Sequence, residues 1–271
     1  MPKQTVQQQA KAYADKLDKQ TQSNKLIRKD IAATMALFLA FWYAFVEKND
    51  DYSHADDSRL ADKRLKHQVD EDAKKNDVQK KKASNNDELL QYAAYVYASI
   101  LASKLIKQVS GQLFKTSKKT AQFGRKLYSG GNESHKVVDD AEIVNRLMNG
   151  ATWSDRIWAN QDQLRSELTA SMKRALLTHD NPVTETAKLR KQFSVADYQA
   201  RRILRTESSR VMNQRALEMV EAAGYKKVVW IANSGACRHC LDHEGEIFTL
   251  QEAEGLIPYH PNCLCTWAAV D

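Results

Sequence analysis

The chain has 271 residues, 42% of them apolar, with only 9 glycines and 4 prolines. That length carries one large domain or two smaller ones, and so few turn formers among Ala-, Leu-, Lys- and Gln-rich stretches favour helix. A formal net charge of +7 and a pI near 9.1 exclude ribosomal-type basicity. They admit either nucleic acid or an acidic protein surface as partner.

Residues 4–29 read as a helix, with Ala10, Tyr13, Ala14 and Leu17 at helical spacing. The stretch is polar and has no secretory leader pattern. Asp30 is placed to cap a second helix reaching about Val46, whose face carries Ile31, Met35, Phe38, Phe41, Trp42 and Phe45. Its apolar run, residues 35–46, is shorter than the roughly 20 residues of a spanning helix, so a core helix and no membrane span are expected. Residues 47–88 hold 12 acids against 10 Lys or Arg, and Leu60, Leu65, Val69 and Val78 are too sparse for a core face. An exposed helix or mobile arm is expected there.

Residues 91–132 contain no acid and seven bases, Lys104, Lys107, Lys115, Lys118, Lys119, Arg125 and Lys126, interleaved with aromatic residues. Such a stretch is a candidate for phosphate contacts on DNA, with a solvated helix face as the plainer reading. A helix is expected over 87–109, broken at Gly111 and again at Gly130-Gly131. A short helix over 137–150 follows. Ser154 is placed to cap the next helix, which carries Trp158, Leu164, Leu168, Met172, Leu176 and Leu177. After a turn at 179–182, residues 184–193 read as a short basic helix.

Ser194 is a good N-cap for a long helix closed by Gly224, within which Glu207 and Arg210 are three apart on one face. Residues 225–231 switch to strand formers, 246–250 read as a second strand, and 251–256 as a helical turn or two. All four cysteines lie in this region. Cys237 and Cys240 form a C-x2-C knuckle, and His260, Cys263 and Cys265 follow. Two thiolates from a knuckle and two ligands from a second segment make a tetrahedral site, so structural Zn2+ is expected on four of these five residues. The fold class expected is mainly α, with an elongated helical N-terminal part (residues 1–193, portal- or capsid-associated in the reading below) and a small α+β zinc-knuckle-like C-terminal lobe (residues 194–271).

The order Arg205-Thr206-Glu207 on a helix, Trp230 on a strand, Cys237 and Cys240, Gly245, then Pro258 through Cys265 closely resembles the Mu F-like head morphogenesis family, minor head proteins of tailed bacteriophages. The motifs cover roughly residues 190–271. Leu264 stands where that family often has Arg, and Asn233 and Ser234 stand where it usually has Asp. The resemblance implies a low-copy, non-enzymatic virion protein inside the capsid near the portal, present in the host cytoplasm during assembly. Its implied partners are the portal protein, major capsid or scaffolding protein, and double-stranded DNA bound without sequence preference. Arg205, Glu207 and Arg210 are expected to form a structural ionic clamp. The competing reading is a metal-dependent His-Asn-His-like nuclease, suggested by Asp242-His243, although Asn262 falls among the metal ligands.

Overall fold

The computed structural model describes residues 4–48, 63–128, 138–177 and 182–271. The chain is 73% helical with one three-stranded sheet at its C-terminal end, as the sequence led us to expect. It divides into two compact units built from discontinuous segments: unit 1 is Met1–Asn24, Gln108–Trp153 and Arg201–Asp271, and unit 2 is Lys25–Lys107 and Ser154–Ala200.

In unit 2, α2 (Lys25–Lys48) buries Phe38, Phe41, Trp42 and Phe45. Phe38 meets Tyr97 edge-on at 5.9 Å and Phe193 at 5.6 Å. By length and composition alone, Val6–Lys48 and Asn86–Leu127 each contain a window apolar enough to cross a membrane. The aromatic face of α2 is instead used inside the core of unit 2. The structure corrects the start of this helix: Asp30 is not its cap but lies within it, and its carbonyl accepts from Thr34 Oγ1. Of the exposed-arm expectation for residues 47–88, residues 49–62 lie outside the described residues; the rest is amphipathic, not wholly exposed. Helix α3 (Lys63–Lys75) buries Leu65, Val69 and Ala73, and Val78 follows it into the core. Its acids serve that packing, since Tyr92 and Tyr97 donate their hydroxyls to Asp70 and Asp72 at 2.9 and 3.0 Å. Leu60 lies outside the described residues.

Two helices run longer than expected. Helix α4 (Asn86–Leu127) continues through Gly111, where an added Cβ would meet nothing within 4 Å. A glycine costs a helix only about 1 kcal/mol, which the packing of Val109, Leu113 and Thr116 overrides. The pair Gly130-Gly131 lies outside the described residues. Helix α7 (Pro182–Ala222) starts at a proline in its first position and passes through Ser194. Ser194 is therefore no cap; its hydroxyl donates to the Arg190 carbonyl one turn back. Between these lie α5 (Asp140–Asn145), capped by Asp139, and α6 (Trp153–Leu177), which begins one residue before the expected cap Ser154.

Unit 1 holds the sheet. Strands β1 (Lys227–Ile231), β2 (Ile247–Thr249) and β3 (Thr266–Val270) lie in the order β2-β1-β3, all antiparallel. One face packs Val228, Trp230 and Trp267 with Val220 and Ile257. The other packs Val229, Ile231 and Ala268 against Ala10 of α1 (Val6–Gln22). Thus the first helix in the chain closes the sheet formed by its last residues. Short helices α8 (Arg238–Leu241) and α9 (Leu250–Ala253) complete the lobe.

Candidate metal centre

Strand β1 runs into a turn in which the Ala236 N–H donates to the Asn233 carbonyl. Cys237 then sits at the N-cap of α8 in an extended conformation, and one turn of helix brings Cys240 beneath it. The second segment folds back through a tight turn, with the Cys263 N–H donating to the His260 carbonyl at 3.0 Å and Asn262 at φ 70°. Cys265 leads directly into β3.

These turns gather all five predicted residues. His260 Nε2 lies 3.2 Å from both Cys237 Sγ and Cys240 Sγ, and Cys240 Sγ lies 3.7 Å from Cys263 Sγ. Ligands bonded at about 2.0–2.3 Å to a tetrahedral ion stand roughly 3.3–3.8 Å apart, so these spacings are close to those that a metal ion would need. Two groups of three, Cys237/Cys240/His260 and Cys240/Cys263/Cys265, share Cys240. His260 Nδ1 faces the Pro261 carbonyl at 2.9 Å, which fixes the tautomer that leaves Nε2 as the ligand atom.

The electrostatics divide the thiols, favouring the thiolate at Cys263 and Cys237 and disfavouring it at Cys240 and Cys265. A hydrogen bond from Cys265 holds the Cys263 thiol down at about 5, and the same bond, with burial, pushes Cys265 up. Burial and the neighbouring Cys263 raise Cys240 to about 12. The exposed Cys237 is lowered by the Cys240 backbone N–H, whereas His260 is raised: burial works against its charge, but the Pro261 carbonyl and the thiolates of Cys263 and Cys237 outweigh it.

Helix α7 is the platform for the ligand loop. Thr206 Oγ1 accepts from the Asn262 N–H at 3.0 Å, and Asn213 Nδ2 donates to the Cys265 carbonyl at 2.9 Å. The expected clamp is divided between two jobs. Glu207 pairs with Arg210 at 2.7 Å, and Arg210 also donates to the Ile143 and Val144 carbonyls of α5. Arg205 is not part of that pair; it bonds Asp18 of α1 at 3.1 Å. No protein-family model, no curated protein and no solved structure matches this chain. Its site is therefore defined by this geometry alone.

Sequence reasoning missed three supports. Asn213 anchors β3, Asp15 takes both the Ser234 N–H and its hydroxyl, and buried Arg215 binds Asp140, Glu218, Ser117 and the Val138 carbonyl. A signal existed for Asn213, since it stands two turns after Thr206 and so shares its helix face. Asp15 carries no such signal, because its partner is distant in sequence; of the Arg215 partners only Glu218, three residues on, is local.

The basic candidates lie elsewhere, on α4. Lys107, Lys115, Lys118, Lys119, Arg125 and Lys126 are exposed and Lys104 is half-buried. At 100° per residue all seven fall within an arc of about 120°, a single stripe. Of the nuclease candidates, Asp242 ends α8, and His243 pairs with Glu246 at 2.7 Å while its ring lies against Trp230 and Tyr259.

Proposed function

We propose that this chain is a minor head protein of a tailed phage, of the Mu F-like type, with a structural zinc ion held by Cys237, Cys240, His260 and Cys263. The observation that carries the reading is that the central elements of the motif order meet at one place. Thr206 tethers the ligand turn, Trp230 backs the knuckle, and the four cysteines and His260 fall into two close groups of three that share Cys240. Zinc suits three thiolates and an imidazole, and its binding would supply folding energy to a lobe with a small core. Cys265 would stand outside the ion as the hydrogen-bond donor to Cys263. In this reading the lobe is a folding cross-link and no catalysis is required.

The exposed stripe on α4 is the surface we assign to non-specific contact with packaged DNA. The portal protein, with major capsid or scaffolding protein, is the assembly partner, and the protein resides inside the capsid near the portal. Co-expression with the portal protein of the same phage is expected to give a complex that contains about one zinc per chain. Failure to form that complex, together with metal-dependent cutting of DNA, would replace this reading with the nuclease. Cys263→Ser should lose the metal and Cys265→Ser should keep it. Reversing Lys115, Lys118 and Lys119 should weaken DNA binding and flatten its salt dependence; unchanged affinity removes the stripe from the DNA surface.

A further inference from the structure

Unit 2 contains a groove of about 770 Å³, walled by the first turns of α4 and by α6 and rimmed by residues 81–82. Its lining carries an excess of cations. Lys81, Lys82, Arg165 and Lys173 line it against the single carboxylate of Glu88. Asp87 and Asp162 pair with Lys173 and Arg165, at 2.5 and 3.4 Å, which leaves Lys81 and Lys82 as the cations of the excess. The Glu88 carboxylate is already committed to the Ser84 N–H at 2.6 Å.

The rim is preorganised. The backbone of Lys81 is hydrogen-bonded to Tyr92, and its ammonium lies 3.6 Å from the centroid of the Tyr95 ring. Residues 165, 169 and 173 recur every fourth position on α6, so one face presents Arg, Thr and Lys in register to the groove. A cationic surface held in place loses little entropy when an anionic partner arrives.

The occupant follows from what the groove lacks. Its volume is in the range of about 300–1,000 Å³ that takes a short segment or small ligand rather than a duplex. Single-stranded nucleic acid is held by bases stacking on open aromatic faces. Here Tyr92 is 3% exposed with its hydroxyl bound to Asp70, and Lys81 covers a face of Tyr95. The remaining lining is hydroxyl, amide and small side chains: Ser166, Thr169, Gln91 and Ala170. We propose that this groove docks a short acidic peptide segment of a partner protein. It is independent of the head-protein reading and of the α4 stripe.

The test is fluorescence anisotropy of the full chain with a labelled peptide of alternating glutamate and alanine, at low salt, with unlabelled peptide and oligothymidylate as competitors. The double variant Lys82→Glu/Arg165→Glu should weaken binding about tenfold or more, because like charges then face the peptide. Ala170→Trp should weaken it too, by filling the groove without changing charge. Lys118→Glu/Lys119→Glu, on the DNA-assigned stripe, should leave it within about twofold. Circular dichroism and thermal melting confirm that each variant is folded. Three outcomes would overturn the proposal: groove variants that bind as the parent does, a stripe variant that loses as much as they do, or oligothymidylate competing better than the unlabelled peptide. The last would assign the groove to single-stranded nucleic acid.

Discussion

The Thr206 hydroxyl gives its proton to the Arg202 carbonyl at 2.8 Å and accepts from the Asn262 N–H, so one side chain links α7 to the turn between two metal-ligand candidates. Thr206→Val keeps the shape and strands that N–H, a cost of about 1–3 kcal/mol. The variant should melt lower and give up its metal to a chelator faster, whereas Thr206→Ser should behave as the parent; equal chelation rates for Val and Ser would remove the tether. In unit 2, the Tyr92–Asp70 bond sets a pH signature. Burial alone would raise Asp70, but the bonds from Lys66 and Tyr92 outweigh it and its carboxyl is held low. Burial and the Asp70 carboxylate push Tyr92 up. A depressed carboxylate contributes stability above its unfolded value near 4 and loses it as pH falls through the folded value. A raised phenol contributes stability below its unfolded value near 10 and loses it as pH rises. The stability gap between the parent and Tyr92→Phe, read from urea midpoints, should be widest at about pH 5–9 and narrow on both sides. A gap that does not vary with pH would mean that the bond contributes nothing.

At the scale of elements, two glycines of α4 make opposite demands. A Cβ on Gly124 would stand 2.6 Å from the Met219 Cβ of α7, whereas one on Gly111 would meet nothing. Gly111→Ala should stabilise by about 0.5–1 kcal/mol through helix propensity. Gly124→Ala gains the same propensity yet must push α7 away, an overpacking cost of about 1–3 kcal/mol, so its melting temperature should fall. Two variants that both stabilise would show that α4 and α7 have room to spare there. Both glycines look alike in sequence. Residues 87–109 were legible as helix, but whether Gly111 ends it depended on partners that packed beyond it. Ser194 misled for the same reason: a serine before an acid has the pattern of a cap, and only the continuous burial of Leu189, Phe193, Ala196 and Ala200 carries α7 past it.

For the whole molecule, the sheet in unit 1 depends on both ends of the chain. Removing residues 1–24 uncovers Val229, Ile231 and Ala268 and takes away the Asp15 and Asp18 contacts, so the C-terminal lobe should lose thermal stability although its own sequence is intact. An unchanged near-ultraviolet signal from Trp230 and Trp267 after that truncation would contradict it. With the proposed zinc bound, its chelation should likewise erode that signal while most of the far-ultraviolet helix signal survives, since unit 2 has its own aromatic core. The sequence by itself determined the helical class, the strands β1 and β2, and the five residues of the Cys/His cluster. Those features are written in local periodicity and in the rigid spacing of a C-x2-C knuckle, which needs no distant partner. Strand β3, the burial of α3, the pairing of Arg205 with Asp18 and the closure of the sheet by α1 were decided only in three dimensions. Each depends on which apolar face or buried charge meets which, and partners that far beyond one helix or turn leave no local trace of that choice.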